Sequence, residues 1–194
     1  MDQAQPVGRI DVISDAICPW CYIGKRHLEG ALKILEKDKL HFNVFWNPFQ
    51  LNPDMPAEGV DRQKYREAKF GGPERAKQID ERITETARGV GIEFHLERLT
   101  RTPNTVNAHR LIRMAGQAGV QDAVVEAMFD AYFCNGADVG DAHEASRGGV
   151  LADRRQRRLH QRLRSAQGLR VHSRSVVPYG QESSILLFLM LLLL

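Results

Sequence analysis

Cysteines and long apolar runs are scarce in this chain of 194 residues. Its three cysteines are Cys18, Cys21 and Cys134, too few for the disulfide framework of a small secreted domain. The longest apolar run, residues 185–194, is about half as long as a membrane-spanning helix requires. The first residues also lack the basic and apolar regions of a secretory signal. We therefore expect a cytoplasmic protein without a membrane partner.

Lysine is absent from the second half of the chain, because all seven lysines lie at or before Lys77. Residues 147–174 hold nine arginines and one acid, although the net charge of the chain is only +3. No helical or strand periodicity follows Asp141. We interpret residues 142–194 as an atypical tail, either frame-shifted or disordered. The Arg-rich run lacks interleaved aromatic residues and a recognisable motif, so we expect no nucleic-acid partner.

The motif Cys18-Pro19-Trp20-Cys21 carries the chemistry that the sequence does contain. Residues 9–14 ahead of it alternate at the strand period, and apolar residues behind it recur at helical spacing. The motif is therefore predicted at a helix N-terminus, where free amide groups stabilise an anion. We expect Cys18 to be the more exposed and more acidic thiol, which attacks, and Cys21 to resolve the mixed disulfide. Pro19 suits the first helical turn.

The remaining pattern predicts one more strand and several helices. Residues 40–46 alternate like a strand, and helices are expected over residues 62–70, 73–88 and 106–118. A further helix is expected from residue 120 to a stop at Asn135-Gly136. The helix after the motif is predicted to be amphipathic, with its charged residues on the outer face: Lys25, Arg26, Glu29, Lys33 and Lys37. Strand, helix, strand and then helices is the order of a thioredoxin-like α/β fold interrupted by a helical insertion.

Two other uses of the cysteine pair carry less weight. A zinc site needs four ligands, so Cys134 and one of seven histidines would have to complete it. A purely structural disulfide across four residues closes too little chain entropy to explain the motif. We therefore expect no metal and no dissociable cofactor, only a redox-active Cys18–Cys21 disulfide. Cys134 is expected to be a plain buried thiol, with a third redox thiol as the alternative.

Several spaced motifs together resemble the DsbA family of thioredoxin-like oxidoreductases, and its FrnE-like branch in particular. The resemblance covers about residues 9–141 and rests on motifs in the right order: Ser14-Asp15 before Cys18-Pro19-Trp20-Cys21-Tyr22-Ile23-Gly24-Lys25-Arg26, then Trp46-Asn47-Pro48-Phe49-Gln50-Leu51-Asn52-Pro53, Asn104-Thr105 with Ala108-His109-Arg110-Leu111, and Ala131-Tyr132-Phe133 with Gly136 and Asp138.

The resemblance implies that Cys18 is the redox nucleophile and Cys21 its partner, with Pro19 and Trp20 tuning the disulfide. It divides the chain into a βαβ half over residues 9–56 and a helical insertion over residues 57–141. Asn104, Thr105 and His109 are expected to pack the insertion beside the active site, and His109 to be a core histidine rather than a proton shuttle.

The tail departs from the resembled family, which continues with a Val-Pro step, two further strands and a closing helix. The sole candidate for that step is Val177-Pro178-Tyr179, so Pro178 is a candidate groove residue. We expect the C-terminal strands and helix to be missing. Their loss should expose the inner faces of the two strands, which carry Ile10, Val12, Leu40, Phe42 and Val44.

The predicted function is thiol-disulfide oxidoreduction with protein or small-molecule thiols as partners. A glutathione-dependent isomerase of the same superfamily is an alternative, but such isomerases replace the first cysteine of the motif, and Cys18 is present. An inactive truncated relic is a second alternative, because of the tail.

Overall fold

A computed structural model of the chain describes residues 6–141 and 184–187. Strand β1, Gly8–Ser14, is followed by helix α1, Pro19–Lys37, and by strand β2, Phe42–Pro48. The two strands are parallel over their full lengths, with Gly8 opposite Phe42 and Ser14 opposite Pro48. Because parallel neighbours need a crossover, α1 makes this a βαβ unit, as predicted.

A third strand lies on the other edge of β1, which the sequence analysis did not anticipate. Strand β5, Ser184–Leu187, runs parallel to β1, and the sheet order is β2-β1-β5. The expectation that the chain has no C-terminal strand is therefore wrong at these four residues. The physical reason is that β1 pairs with β2 on one edge only, so its other edge offers unpaired amide and carbonyl groups to a further strand.

The segment between β2 and Asp141 is mainly helical. Its elements are strand β3, Val60–Asp61, helix α2, Arg62–Phe70, helix α3, Pro73–Gly89, a 3-10 turn, Leu96–Arg98, strand β4, Arg101–Thr102, helix α4, Val106–Gln117, helix α5, Gln121–Phe129, and a π turn, Asp130–Cys134. Strands β3 and β4 pair antiparallel. The first three helices predicted in this segment are confirmed to within one residue at each end. The fourth, predicted to stop at Asn135-Gly136, ends as α5 at Phe129, and the π turn continues it to Cys134.

One hydrophobic cluster joins the sheet to the helices. Tyr22 of α1 stacks on Phe129 of α5 with 4.9 Å between ring centroids, and Phe94 stacks on Phe133 at 4.8 Å. Aromatic pairs at such distances add to the stabilisation from burial. The βαβ half and the helical segment thus share a core, and the proposed division at residue 56 stays a prediction.

The inner face of β1 is covered, contrary to the expectation of exposed strand faces. Ile10 and Val12 are both buried in the shared cluster. Of the other residues named for that face, Phe42 and Val44 are partly buried and pack against the cluster, whereas Leu40 lies before β2 and is exposed. The expectation was therefore wrong for β1, whose cover comes from the shared core.

The charged face of α1 is not a solvent face throughout, because Lys25 is only 2% exposed. Its ammonium group contacts Glu29 one helical turn on, and it lies 3.2 Å from Asp122 and 3.1 Å from Glu126 of α5. Arg26 pairs with both Glu29 and Glu126. These five residues, here named the α1–α5 ion cluster, fix the helix that carries the motif to the helical segment.

None of the helices over the described residues is long and apolar enough to cross a membrane.

Candidate active site

Cys18 is the N-cap residue of α1, at the junction that the sequence predicted. Its backbone is extended, and its N–H donates to the carbonyl oxygen of Asp15 at 3.0 Å, which closes the turn after β1. Pro19 follows as the first helical residue, where the missing N–H costs no hydrogen bond. Trp20 is half-buried against the core cluster. The motif is thus anchored on both sides of Cys18.

Cys18 and Cys21 are free thiols that lie 3.2 Å apart. The helical turn sets this proximity, since the N–H of Cys21 donates to the carbonyl oxygen of Cys18 at 3.1 Å. Both residues are buried, with 9% of Cys18 and 7% of Cys21 exposed. Cys18 was predicted to be the more exposed thiol, and the difference in exposure between the two residues is very small. The distance permits a hydrogen bond between the sulfurs.

The two thiols ionise as a pair. The Cys18 S–H donates to the Cys21 sulfur and lowers the pKa of Cys21 to about 7, against the effect of burial. The same hydrogen bond, with burial, raises the pKa of Cys18 well above its ordinary value. These shifts belong to the pair, and the prediction that Cys18 is the more acidic thiol stays a prediction. A proton shared by two thiols gives the pair one lowered and one raised pKa, and it can reside on either sulfur.

A buried carboxylate lies beside the thiols. Asp15 is 1% exposed, and its negative charge raises the pKa of both cysteines. Its Oδ2 atom accepts the N–H of Leu51 at 2.8 Å. The other oxygen, Oδ1, has no hydrogen-bond partner among the residues that the structure describes, and the Nε2 atom of His109 lies 3.3 Å away.

His109 of α4 is as buried as predicted, but its surroundings are polar. Its Nε2 atom lies 3.0 Å from the carbonyl oxygen of Phe49. A carbonyl can only accept, so Nε2 carries the hydrogen and Nδ1 is the free acceptor of the neutral ring. Asp15 and His109, here named the acid–histidine pair, link the motif to the helical segment. Sequence patterning signalled the burial of His109 and gave no signal of its acidic neighbour.

Asn104 joins the same two parts of the chain. Its side-chain N–H donates to the carbonyl oxygen of Met55, and its Oδ1 accepts the N–H of Val106 at the start of α4 at 3.0 Å. Thr105 is buried next to it. These contacts fit the expectation that residues 104–109 pack the helical segment beside the motif.

A small cavity of about 210 Å³ lies at the carboxyl ends of β1 and β2. Ser14 and His109 both line it, and Arg113 contributes a cationic side chain to its wall. Ser14 is buried, and its side chain forms a hydrogen bond with Cys21 that lowers the pKa of that thiol. The sequence analysis did not single out Ser14, because a serine at the end of a strand has no distinctive signal.

Two predicted candidates lie apart from this arrangement. Cys134 in the π turn is half-buried, and burial and Asp130 raise its pKa to about 12, so the thiolate is disfavoured. This accords with a plain buried thiol. Pro178 and the Arg-rich run lie outside the described residues. Within the described ranges, no group of three or more histidine, cysteine or acidic residues could hold a metal ion.

Comparison with known proteins places this site in a family. The model of the DSBA-like thioredoxin domain matches residues 9–148, so the chain belongs to the DSBA-like thioredoxin family. Assignment to the FrnE-like branch stays a prediction.

Two relatives show how far the likeness extends. The uncharacterized protein YwbO of Bacillus subtilis is 27% identical over 132 residues, which are 68% of this chain and 60% of YwbO. A crystal structure of a probable DsbA oxidoreductase from Streptomyces coelicolor is 24% identical, with a TM-score of 0.65 over 82% of this chain and 67% of that chain. The latter likeness shows the shared fold. The chain thus spans less than two thirds of YwbO.

Proposed function

We propose that this protein is a thiol-disulfide oxidoreductase whose redox pair is Cys18 and Cys21. The observation that carries the proposal is the approach of two free thiols to 3.2 Å at the N-terminus of a helix. The family supports the same general activity. No dissociable cofactor is required, because the two sulfurs themselves give up and regain the two electrons.

The reaction balances in two exchanges. The Cys18 thiolate attacks one sulfur of a substrate disulfide, which forms a Cys18 mixed disulfide and expels the other substrate sulfur as a thiolate that takes up a proton. Cys21 then loses its proton and attacks the sulfur of Cys18. The Cys18–Cys21 disulfide forms, the second substrate thiol is released, and two electrons have passed to the substrate. The reverse sequence oxidises a dithiol.

Cys18 is assigned as the first nucleophile from its position at the N-cap. At this position the free amide groups of the first helical turn and the helix dipole favour an anion, which favours a thiolate at Cys18. Transfer of one proton across the short distance to Cys21 produces that thiolate. The partners would be protein or small-molecule thiols and disulfides.

The test is reduction of a protein disulfide such as that of insulin with a recycling thiol present. Cys18→Ser should abolish exchange, and Cys21→Ser should accumulate a mixed disulfide at Cys18. Cys134→Ser is the matched control and should leave the rate within about twofold of the original, since its thiolate is disfavoured. Unchanged exchange in the Cys18→Ser variant would remove the basis of the proposal.

A further inference from the structure

The exchange proposed above leaves one proton without a destination. When Cys18 attacks as a thiolate, the shared proton resides on Cys21. Once the mixed disulfide has formed, Cys18 no longer has an S–H to donate to Cys21. Burial, the largest remaining cause, and the charge of Asp15 then raise the pKa of Cys21, against the lowering effect of its hydrogen bonds to the Asp15 backbone and to Ser14. The second exchange requires the Cys21 thiolate, so it needs a nearby base.

We infer that His109 is the base that accepts the proton of Cys21, with the Ser14 hydroxyl as the connection between them and Asp15 as the counter-charge. This inference rests on the proposed function. It extends it by assigning a residue of the helical segment to the redox reaction.

Three features of the site support the assignment. Ser14 contacts the Cys21 sulfur and lines the same cavity as His109. A water molecule occupies about 30 Å³, so a cavity of about 210 Å³ has room for a hydrogen-bonded link between the hydroxyl and the ring. The Nε2–H of His109 is held by Phe49, which leaves Nδ1 to accept a proton.

Asp15 completes the arrangement. Its Oδ1 atom is 3.3 Å from Nε2 and has no hydrogen-bond partner within the described part of the chain, so an imidazolium at His109 would gain an ion pair that the neutral ring lacks. The charged and titratable groups facing the route are Cys18 and Asp15 at the thiol end, and Asp15 and Arg113 at the ring. The proton leaves Cys21 for Nδ1, the Cys21 sulfur attacks Cys18, and the released thiolate can recover the proton.

The experiment follows both exchanges with a chromogenic aromatic disulfide added to the reduced protein. A first phase releases one aromatic thiolate as Cys18 forms the mixed disulfide. A second phase releases the other as Cys21 displaces it. His109→Gln should slow the second phase about 10- to 100-fold near pH 7.5, where an ordinary imidazole is mostly neutral and can accept a proton. The deficit should shrink to less than about threefold above about pH 9, where a thiol ionises without help.

Two further variants keep the test independent of the folding of His109→Gln. Ser14→Ala should slow the second phase with the same pH dependence, and Ser14→Thr, which keeps the hydroxyl, should restore it. His27→Gln, an exposed histidine on α1, is the matched control and should match the original protein.

The outcomes separate this inference from the proposed function. A missing first phase overturns both. A normal first phase with a second phase that His109→Gln and Ser14→Ala leave unchanged, or slow equally at every pH, overturns the inference alone.

Discussion

The α1–α5 ion cluster and the acid–histidine pair differ in how completely their charged groups are paired. In the α1–α5 ion cluster, the ammonium group of Lys25 meets three carboxylates and Arg26 meets two. In the acid–histidine pair, the Oδ1 atom of Asp15 has no hydrogen bond. A fully paired cluster fixes the relative placement of two helices. A buried charge with spare capacity can respond to a change in a neighbouring group, which is what redox chemistry requires.

The largest expected effect on stability tests the structural role of the α1–α5 ion cluster. Lys25→Met keeps the buried aliphatic stem but leaves three carboxylates without their shared cation. We expect a loss of about 2–3 kcal/mol in the free energy of unfolding, at the lower edge of values for broken buried pairs because the acids are partly exposed. Urea denaturation measures it, and alkylation of the cysteines should be unchanged.

The matched control is Lys33→Met, an exposed lysine on the same helix. Equal losses in the two variants would show that the burial of Lys25 contributes nothing special.

The next effect concerns the pH dependence of stability in the reduced protein. The folded state lowers the pKa of Cys21 from 9.0 to about 7, so the stabilisation is present above the ordinary thiol value and is lost as the pH falls through about 7. The raised pKa of Cys18 acts in the opposite sense, and its stabilisation is lost only as the pH rises above about 9. The free energy of unfolding should therefore rise by about 1 kcal/mol from pH 6 to pH 8.

Since other groups titrate too, the quantity to compare is the difference between the original protein and Cys21→Ser across this pH range. A difference that stays flat would contradict the shared proton.

A smaller effect distinguishes the acid–histidine pair from the α1–α5 ion cluster, because only the first should influence the reactivity of the thiols. Asp15→Asn keeps an acceptor for the Leu51 N–H and removes a charge that raises the pKa of both cysteines. Alkylation by iodoacetamide near pH 6 should become about three- to tenfold faster, the equivalent of up to one pKa unit. Asp122→Asn, which changes the α1–α5 ion cluster instead, is the control and should alter the alkylation rate little.

The sequence predicted what local patterns control. Alternation located β1, and helical spacing located α1. The order of elements then indicated the fold. Cys18 was placed at the helix N-terminus by the same reasoning, because the motif itself includes the strand-to-helix junction.

What the sequence did not predict depends on partners distant along the chain. Lys25 was placed on the solvent face because periodicity distinguishes polar from apolar faces, and it cannot show that a polar face meets the acids of α5. The pairing of Asp15 with His109 is hidden for the same reason. The order of the thiol pKa values depends on which sulfur donates to the other, a detail set by side-chain geometry after folding.

The smallest predicted effect probes redundancy in the α1–α5 ion cluster. Glu29 contacts both Lys25 and Arg26, but its side chain is 35% exposed, and each cation keeps Glu126 as a second partner. Glu29→Gln should therefore cost only about 0.5 kcal/mol, as for ordinary pairs near the surface, and the loss should diminish in high salt. A loss as large as that of Lys25→Met in the same urea titration would mean that the carboxylates do not substitute for one another. A loss much smaller than that of Lys25→Met would show that the attachment of α1 to α5 depends on the buried Lys25 ammonium group. It would not depend on how many ion pairs that group forms.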